Sequence, residues 1–181
     1  MAERYKNKYR SDSNRLQGHD YSSGGVYFIT VVTAKHICEF GYVENKIMKL
    51  NTFGEIVESE WLKTQKMRKD VLLGEFCVMP NHFHALIYFK TDGFTLENKQ
   101  LFKTPFYKNQ FGPQKNSIGT IVRGFKGSCK SKIIKAGNKS FEWHSNYHDV
   151  IIRNEKRLHN VKQYIRNNPA NWDKDSLLSA R

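Results

Sequence analysis

The chain has 181 residues, 39% of them hydrophobic, so it is long enough to bury one core and falls near the size of a single domain. Its 30 lysines and arginines outnumber 17 aspartates and glutamates, and the net charge of +13 favours a polyanionic partner such as nucleic acid. No apolar run approaches the roughly 18 residues of a membrane-spanning helix. The three cysteines, Cys38, Cys77 and Cys129, lack the spacing of a thiolate zinc site, and we expect them to be small buried or half-buried hydrophobic residues.

The N-terminal stretch, residues 1–24, is polar and basic and ends in a serine and glycine turn signal, which predicts an arm ahead of the first element. It contains no apolar segment typical of a signal peptide, so we expect a cytoplasmic protein. The remaining sequence predicts a single domain over residues 25–175, interrupted by a long loop at 90–115. Residues 176–181 are predicted to form a C-terminal tail.

The first half of the domain shows strand patterns around one helix. Residues 26–33 are β-branched and aromatic and predict a central strand buried on both faces. Residues 38–50 indicate a hairpin, and Asn51 is positioned to cap a helix that runs to about residue 67. Two further strands, 71–79 and 84–89, are close enough to form an antiparallel pair.

The second half begins with a helix capped by Ser117, in which apolar residues recur at helical spacing and basic residues share another face. Residues 147–153 predict a last strand, and Asn154 precedes a final helix that Pro169 stops. Helices covering an antiparallel sheet make an α+β fold, and this element order predicts a ferredoxin-like or RNA-recognition type of split βαβ layout.

Two histidines flank one hydrophobic residue in the Pro80-Asn81-His82-Phe83-His84 stretch. Because successive side chains of a strand point to opposite faces, His82 and His84 would lie side by side. They form either a two-imidazole metal clamp or two ordinary histidines near a strand end.

The final helix carries a second group of functional residues. Tyr164 and Asn168 lie one turn apart, beside the apolar stripe of that helix, and would face the sheet together. A tyrosine in this position is either a nucleophile or an ordinary core-edge residue with its hydroxyl in water. A phenol with an unperturbed pKa of about 10 attacks a phosphodiester only with help from a nearby cation.

Read together, the two groups predict a divalent metal site. His82 and His84 would supply imidazole ligands and Asn168 an amide oxygen, which suits Mg²⁺ or Mn²⁺ better than a closed zinc site. Four basic residues are predicted to contact DNA: Arg123, Lys126, Lys130 and Arg153. The alternative interpretation of the basic face of the second helix is that it is an ordinary face exposed to solvent.

Several motifs together resemble the single-tyrosine HUH transposases, in particular the REP-associated tyrosine transposase branch. The motifs are Met79-Pro80-Asn81-His82-Phe83-His84, Tyr147-His148-Asp149-Val150-Ile151-Ile152-Arg153 and Tyr164-Ile165-Arg166-Asn167-Asn168-Pro169, together with Asp20-Tyr21-Ser22 and the start of the second helix from Ser117 to Lys126. The histidine motif alone is weakly specific, whereas the ordered set spans nearly the whole chain.

The resemblance implies that His82 and His84 bind the metal and that Tyr164 attacks single-stranded DNA, forming a 5′-phosphotyrosyl link and releasing a 3′-hydroxyl. It implies a hairpin-bearing single-stranded DNA as partner and a homodimer as one possible state. Asn168 stands where the insertion-sequence relatives carry a glutamine ligand.

Other functions fit parts of the pattern. A replication-initiator or relaxase nickase would use the same chemistry, and a non-catalytic or domesticated nucleic-acid-binding protein of the same fold would rely on the basic charge alone. A histidine-triad nucleotide hydrolase is excluded because it needs a third histidine where this chain has Leu86.

Overall fold

The protein is described from a computed structural model, which covers residues 25–89 and 117–178. It also describes the backbone of two short strands near the N-terminus, β1 (Arg4–Tyr5) and β2 (Tyr9–Arg10), which pair antiparallel. The rest of the predicted arm, the predicted loop at 90–115 and the end of the predicted tail at 179–181 lie outside the described residues.

A four-stranded antiparallel sheet forms the centre of the fold. Its strands are β3 (Gly25–Val32), β6 (Val71–Val78), β7 (His82–Phe89) and β8 (His148–Ile152), in the order β6-β7-β3-β8. Within this sheet β3, the first strand in sequence, therefore lies between β7 and β8, which is the split βαβ arrangement that the sequence predicts. The α+β fold with a helix-covered antiparallel sheet is confirmed.

A peripheral hairpin, β4 (Gly41–Glu44) and β5 (Ile47–Leu50), follows the first strand. Asn45 and Lys46 form its tip with positive φ angles of 50° and 64°, as a two-residue hairpin turn requires.

Three helices begin at the predicted caps. They are α1 (Thr52–Met67), α2 (Ile118–Lys135) and α3 (Glu155–Asn167), and the side chains of Asn51, Ser117 and Asn154 accept hydrogen bonds from their first turns. Pro169 ends α3, and the chain continues as a 3-10 turn, Pro169–Lys174.

The two faces of the sheet pack against different helices. Tyr27, Phe83 and their neighbours on one face join Trp61 of α1 and Phe125 of α2 in the larger core. Alternate residues of the same strands pack on the other face against Leu158, Val161 and Ile165, the stripe of α3; they include Val26, Leu86 and Ile152. Because side chains alternate along a strand, His82 and His84 belong to the α3 face.

Two details differ from the sequence prediction. β7 begins at His82 rather than residue 84, because His82 pairs with Val32 and accepts a bond from the Met79 amide. Cys38, expected to be a small buried or half-buried residue, is exposed.

Over the residues that the structure describes, we find no helix that combines the length and the hydropathy needed to cross a bilayer.

Candidate metal centre and tyrosine

The two histidines of β7 lie side by side at the end of the sheet. Their ring centroids are 4.5 Å apart, and only 0% of His82 and 2% of His84 is exposed. Both rings are therefore shielded from bulk water and lie in contact with each other.

The ring of His82 is oriented by Asn81, a side chain with no exposed surface. The Nδ1 atom of His82 lies 2.8 Å from Oδ1 of Asn81. Because the amide oxygen can only accept, Nδ1 carries the proton and Nε2 is left with its lone pair. Nε2 is buried and has no hydrogen-bond partner within the described part of the chain. A buried bare imidazole nitrogen is what a metal ligand requires.

His84 lies between a threonine and the tyrosine of α3. Its Nδ1 is 2.9 Å from the hydroxyl oxygen of Thr30, on the neighbouring strand β3. Its Nε2 is 3.3 Å from the phenol oxygen of Tyr164. One ring nitrogen of His84 therefore faces the threonine hydroxyl and the other faces the phenol of Tyr164.

The chain beyond α3 brings two more oxygen donors to the histidines. Asp175 places Oδ2 3.9 Å from Nε2 of His82 and accepts a 3.3 Å bond from Nδ2 of Asn168. Ligand atoms of His82, His84 and Asp175 all lie within 4.8 Å of one another. The Oδ1 atom of Asn168 is buried, with no hydrogen-bond partner among the residues described.

The segment that carries Asp175 is fastened to the same asparagine that orients His82. The amide nitrogen of Asn81 donates to the carbonyl oxygens of Leu177, at 2.7 Å, and His36, at 3.0 Å. Oδ1 of Asp175 accepts from the Leu177 amide at 2.7 Å. One buried side chain thus fixes both a histidine ring and the backbone beside the carboxylate.

Burial keeps the two histidines neutral. It lowers the pKa of His82 to about 4, although the nearby Asp175 carboxylate and the Asn168 side chain act in the opposite direction. Burial and the neighbouring His82 hold the pKa of His84 well below its usual value. Neutral imidazoles at physiological pH keep the lone pairs that a metal needs.

The donor set therefore fits a divalent cation. Two neutral imidazoles and one carboxylate converge, and within the described part of the chain His82 Nε2 and Asn168 Oδ1 have no hydrogen-bond partner. Burying such polar atoms without a partner costs free energy, which a bound cation would offset.

Tyr164 is accessible from outside while it touches the histidines. It is 47% exposed, and its ring packs edge-on against His84 at 5.2 Å. Burial and the charge of Asp175 raise the pKa of the phenol, while Asn168 lowers it. The phenol is therefore protonated at neutral pH.

The basic residues predicted to contact DNA lie apart from this site. Arg123 is exposed on α2, which packs on the opposite face of the sheet from α3, and Arg153 is exposed just after β8. Lys130 pairs with Glu142 at 2.6 Å. Lys126 donates to the backbone carbonyls of residues 144, 145 and 146 at 2.7, 3.2 and 3.4 Å.

These α2 residues line a cleft of about 440 Å³ beside the turn that leads to β8. Burial lowers the pKa of Lys126 there. Two of the three basic residues that are predicted to bind DNA from α2 thus also have partners within the protein.

Two residues of the site are missing from the sequence prediction. Asp175 follows a proline-terminated helix in an irregular segment, so no period ties it to the histidines, and no sequence pattern distinguishes it from Asp173. Asn81 stands within the histidine motif, but its two-sided hydrogen bonding depends on Leu177, which is distant in sequence.

The fold and this site define an α+β protein with a tyrosine-bearing helix across a buried histidine pair. Its fold is that of a tyrosine transposase: a REP-associated tyrosine transposase bound to a REP hairpin superposes with a TM-score of 0.54 and 18% identity, covering 90% of this chain and 74% of that one. No family model matches the chain. An uncharacterized protein of Haemophilus influenzae is 36% identical over 168 residues, 91% of each chain, and our chain belongs to the family of that protein.

Proposed function

We propose that the protein is a transposase-type nuclease that cleaves and rejoins single-stranded DNA near hairpins, with Tyr164 as nucleophile and a divalent metal as cofactor. The observation that carries this proposal is the 3.3 Å contact between the Tyr164 phenol and a buried, neutral histidine pair with an unpartnered ligand nitrogen. The similar fold of a tyrosine transposase bound to a REP hairpin supports the choice of DNA.

The proposed metal ligands are His82 and His84, with Asp175 added to the predicted Asn168. Two imidazoles with a carboxylate suit a transition ion, so Mn²⁺ fits this donor set better than Mg²⁺. When bound, the cation polarises the scissile phosphate and offsets its developing negative charge.

The chain's own residues perform the bond changes. The Tyr164 oxygen bonds to phosphorus while the bond from phosphorus to the 3′-oxygen breaks. The phenol is half exposed and gives its proton to water, and the leaving 3′-oxygen takes one up to become a 3′-hydroxyl. The other DNA end stays attached as a 5′-phosphotyrosine, and attack by a 3′-hydroxyl on this link reverses the step and rejoins the strand.

The decisive experiment traps the covalent link. The protein is incubated with a labelled hairpin oligonucleotide and Mn²⁺, and denaturing gels show whether label migrates with the protein. We expect an adduct in the wild type and in Tyr42→Phe, which changes an exposed tyrosine of the protein's β4–β5 hairpin. We expect none in Tyr164→Phe, and an adduct in that variant would refute the nucleophile assignment.

The metal ligands are tested separately. His84→Ala should abolish Mn²⁺-dependent cleavage while binding of DNA stays within a few-fold, because phosphate contacts supply most of the affinity. His159→Ala, which removes an exposed histidine of α3, is the matched control and should cleave normally. Normal cleavage by His84→Ala would show that the pair is not catalytic.

The second candidate is a non-catalytic nucleic-acid-binding protein of the same fold, which the net charge of +13 favours. It predicts hairpin binding without an adduct in any variant and no change of affinity on adding Mn²⁺. The adduct assay therefore separates the two functions directly.

A further inference from the structure

Among the described residues, no helix packs on the part of the sheet beyond Tyr164, on the side of β8. Helix α3 packs across β6 and β7, whereas β8 is the edge strand on the far side of β3. The register places Val150 beside Phe28 and His148 beside Thr30, and Thr30 beside His84. Paired residues of neighbouring strands share a face, so four side chains extend the α3 face beyond the helix. We call this surface the β8 shelf: Phe28, Thr30, His148 and Val150.

The β8 shelf is continuous with the tyrosine. The ring of Phe28 lies 5.2 Å from that of His84 and 6.0 Å, edge-on, from that of Tyr164. Phe28 and Val150 are half-buried and His148 is exposed. An apolar strip thus leads from the proposed nucleophile to the edge of the sheet, flanked by polar groups.

We propose that the β8 shelf binds the nucleobase next to the phosphate that Tyr164 attacks, with the base packed on Phe28 and Val150. This inference rests on the proposed function and names the ligand of a surface beside it. A phosphate that Tyr164 attacks carries its neighbouring nucleotide onto adjoining surface, and on the sheet face that the structure describes, the route away from α3 runs over β3 and β8. Aromatic and apolar surfaces accept any base by its π-face, so the contact tolerates sequence.

The charges around the β8 shelf suit a DNA strand. Arg153 follows β8 directly, and Arg157 lies seven residues before Tyr164, which places it two turns away on the same side of α3. Both are exposed. Because Ile152 pairs with Val26 and His148 with Thr30, Arg153 lies beyond the end of β8 that is farther from His84. It would contact phosphates further along the strand, where counterion release favours binding.

The test measures binding to single-stranded oligonucleotides in EDTA, so that no cleavage interferes. One set carries 2-aminopurine at successive positions, whose fluorescence is quenched by stacking, and a second set carries an abasic nucleotide at the same positions. We expect quenching at a position that adjoins the cleaved phosphate, and an affinity about 5- to 30-fold weaker when that base is missing.

Variants then assign the base to the shelf. Phe28→Leu keeps an apolar side chain but removes the ring, and we expect it to weaken binding of the intact oligonucleotide and to leave binding of the abasic one unchanged. Val150→Thr, a nearly isosteric change on the edge strand, should act in the same direction and covers the case in which Phe28→Leu does not fold. Phe53→Leu, on α1 at the opposite face, is the matched control and should change neither affinity.

The inference is overturned if Phe28→Leu and Val150→Thr weaken binding of intact and abasic oligonucleotides equally or not at all. Because the readout is binding, it separates from the chemistry. If the protein forms an adduct but the two substitutions weaken intact and abasic oligonucleotides equally, only the shelf proposal is refuted. If the substitutions weaken only the intact oligonucleotide and no adduct forms, the shelf proposal is supported and the nuclease proposal is refuted.

Discussion

Asn81 uses both of its side-chain N–H donors and its side-chain oxygen in or beside the site, through one bond accepted from His82 and two donated to backbone carbonyls. Asn81→Ala should free the ring of His82 to take either tautomer and loosen the segment that carries Asp175. We expect Mn²⁺ affinity to fall by about 10- to 100-fold, the usual effect of losing a partner of a metal ligand.

Titration calorimetry measures this affinity, and ¹⁵N shifts of the histidine rings report the tautomer in metal-free protein. Asn51→Ala is the control, because it removes a helix cap at about 1 kcal/mol and lies outside the site. A variant at Asn81 that binds Mn²⁺ as the wild type does would show that the ring needs no such support.

Burial of a neutral histidine predicts an acid-sensitive fold. Above pH 6.5 the ring of His82 is neutral in the folded and the unfolded chain, so it adds no pH dependence. Below that pH the unfolded chain binds a proton that the folded chain refuses until about pH 4, the lowered pKa of His82. The free energy of unfolding should therefore fall by about 3 kcal/mol between these pH values.

Urea unfolding in EDTA at several pH values checks this loss. His82→Gln cannot take up the proton, so its stability should change less steeply with pH, by up to about 1.4 kcal/mol per pH unit. His159→Gln should keep the wild-type slope. Equal slopes in His82→Gln and the wild type would contradict the proposed burial of a neutral ring.

The histidines and Tyr164 can be predicted because each lies in a regular repeat. A period of two puts His82 and His84 on one face, and a turn of helix puts Tyr164 near Asn168. Asp175 belongs to no repeat, since the chain reaches it through a proline-led 3-10 turn. Its position depends on the bond from the Asn81 side chain to the Leu177 carbonyl, which joins residues far apart in sequence and which a local pattern does not encode.

At the scale of elements, α1 and α2 are joined by a buried carboxylate. Glu60 of α1, 5% exposed, accepts bonds from Lys63 at 2.7 Å, Lys132 at 2.5 Å and the Ser128 hydroxyl. Burial raises the pKa of Glu60, but the hydrogen bonds from Lys132, Lys63 and Ser128 outweigh it and bring the pKa to about 2. The carboxylate therefore remains charged across the physiological range.

Glu60→Gln should destabilise the protein by about 2 kcal/mol, because charged hydrogen bonds from α2 are replaced by neutral ones. The loss should be visible in urea unfolding at pH 7 and should shrink as the pH falls from 4.5 towards 2, where the wild-type carboxylate takes up its proton. Glu142→Gln removes the exposed partner of Lys130 and should cost less than about 1 kcal/mol. Equal losses of stability in the two variants would show that the bonds between Glu60 and α2 add no more to the free energy of unfolding than an exposed ion pair does.

The elements themselves are largely predictable, and their boundaries less so. Caps and apolar stripes fix α1, α2 and α3, because each cap residue can satisfy amides that the helix leaves free. The start of β7 is different, since pairing of His82 with Val32 extends the strand beyond what its own residues indicate. Strand ends depend on their partners, which lie elsewhere in the chain.

At the scale of the whole molecule, the sheet order could be predicted from the alternation of strands and helices, because few connections satisfy short, uncrossed links. The distribution of charge could not. Lys126 and Lys130 share a helix face with Arg123, yet both have partners on the turn before β8. Only the folded chain brings the carbonyls of residues 144–146 and Glu142 to these side chains.

The different surroundings of these basic residues predict unequal effects on DNA binding. Removing one cation that binds a phosphate should lower the slope of log affinity against log salt by about 0.7 for single strands, so Arg123→Ala and Arg153→Ala should each reduce it by up to that amount. Lys126→Ala should instead lower the thermal stability, because three carbonyls lose their donor. Fluorescence anisotropy across salt concentrations and thermal melts distinguish the two effects, with Lys66→Ala on α1 as the control. A salt slope that falls in Lys126→Ala without loss of stability would show that its ammonium leaves the carbonyls to bind phosphate.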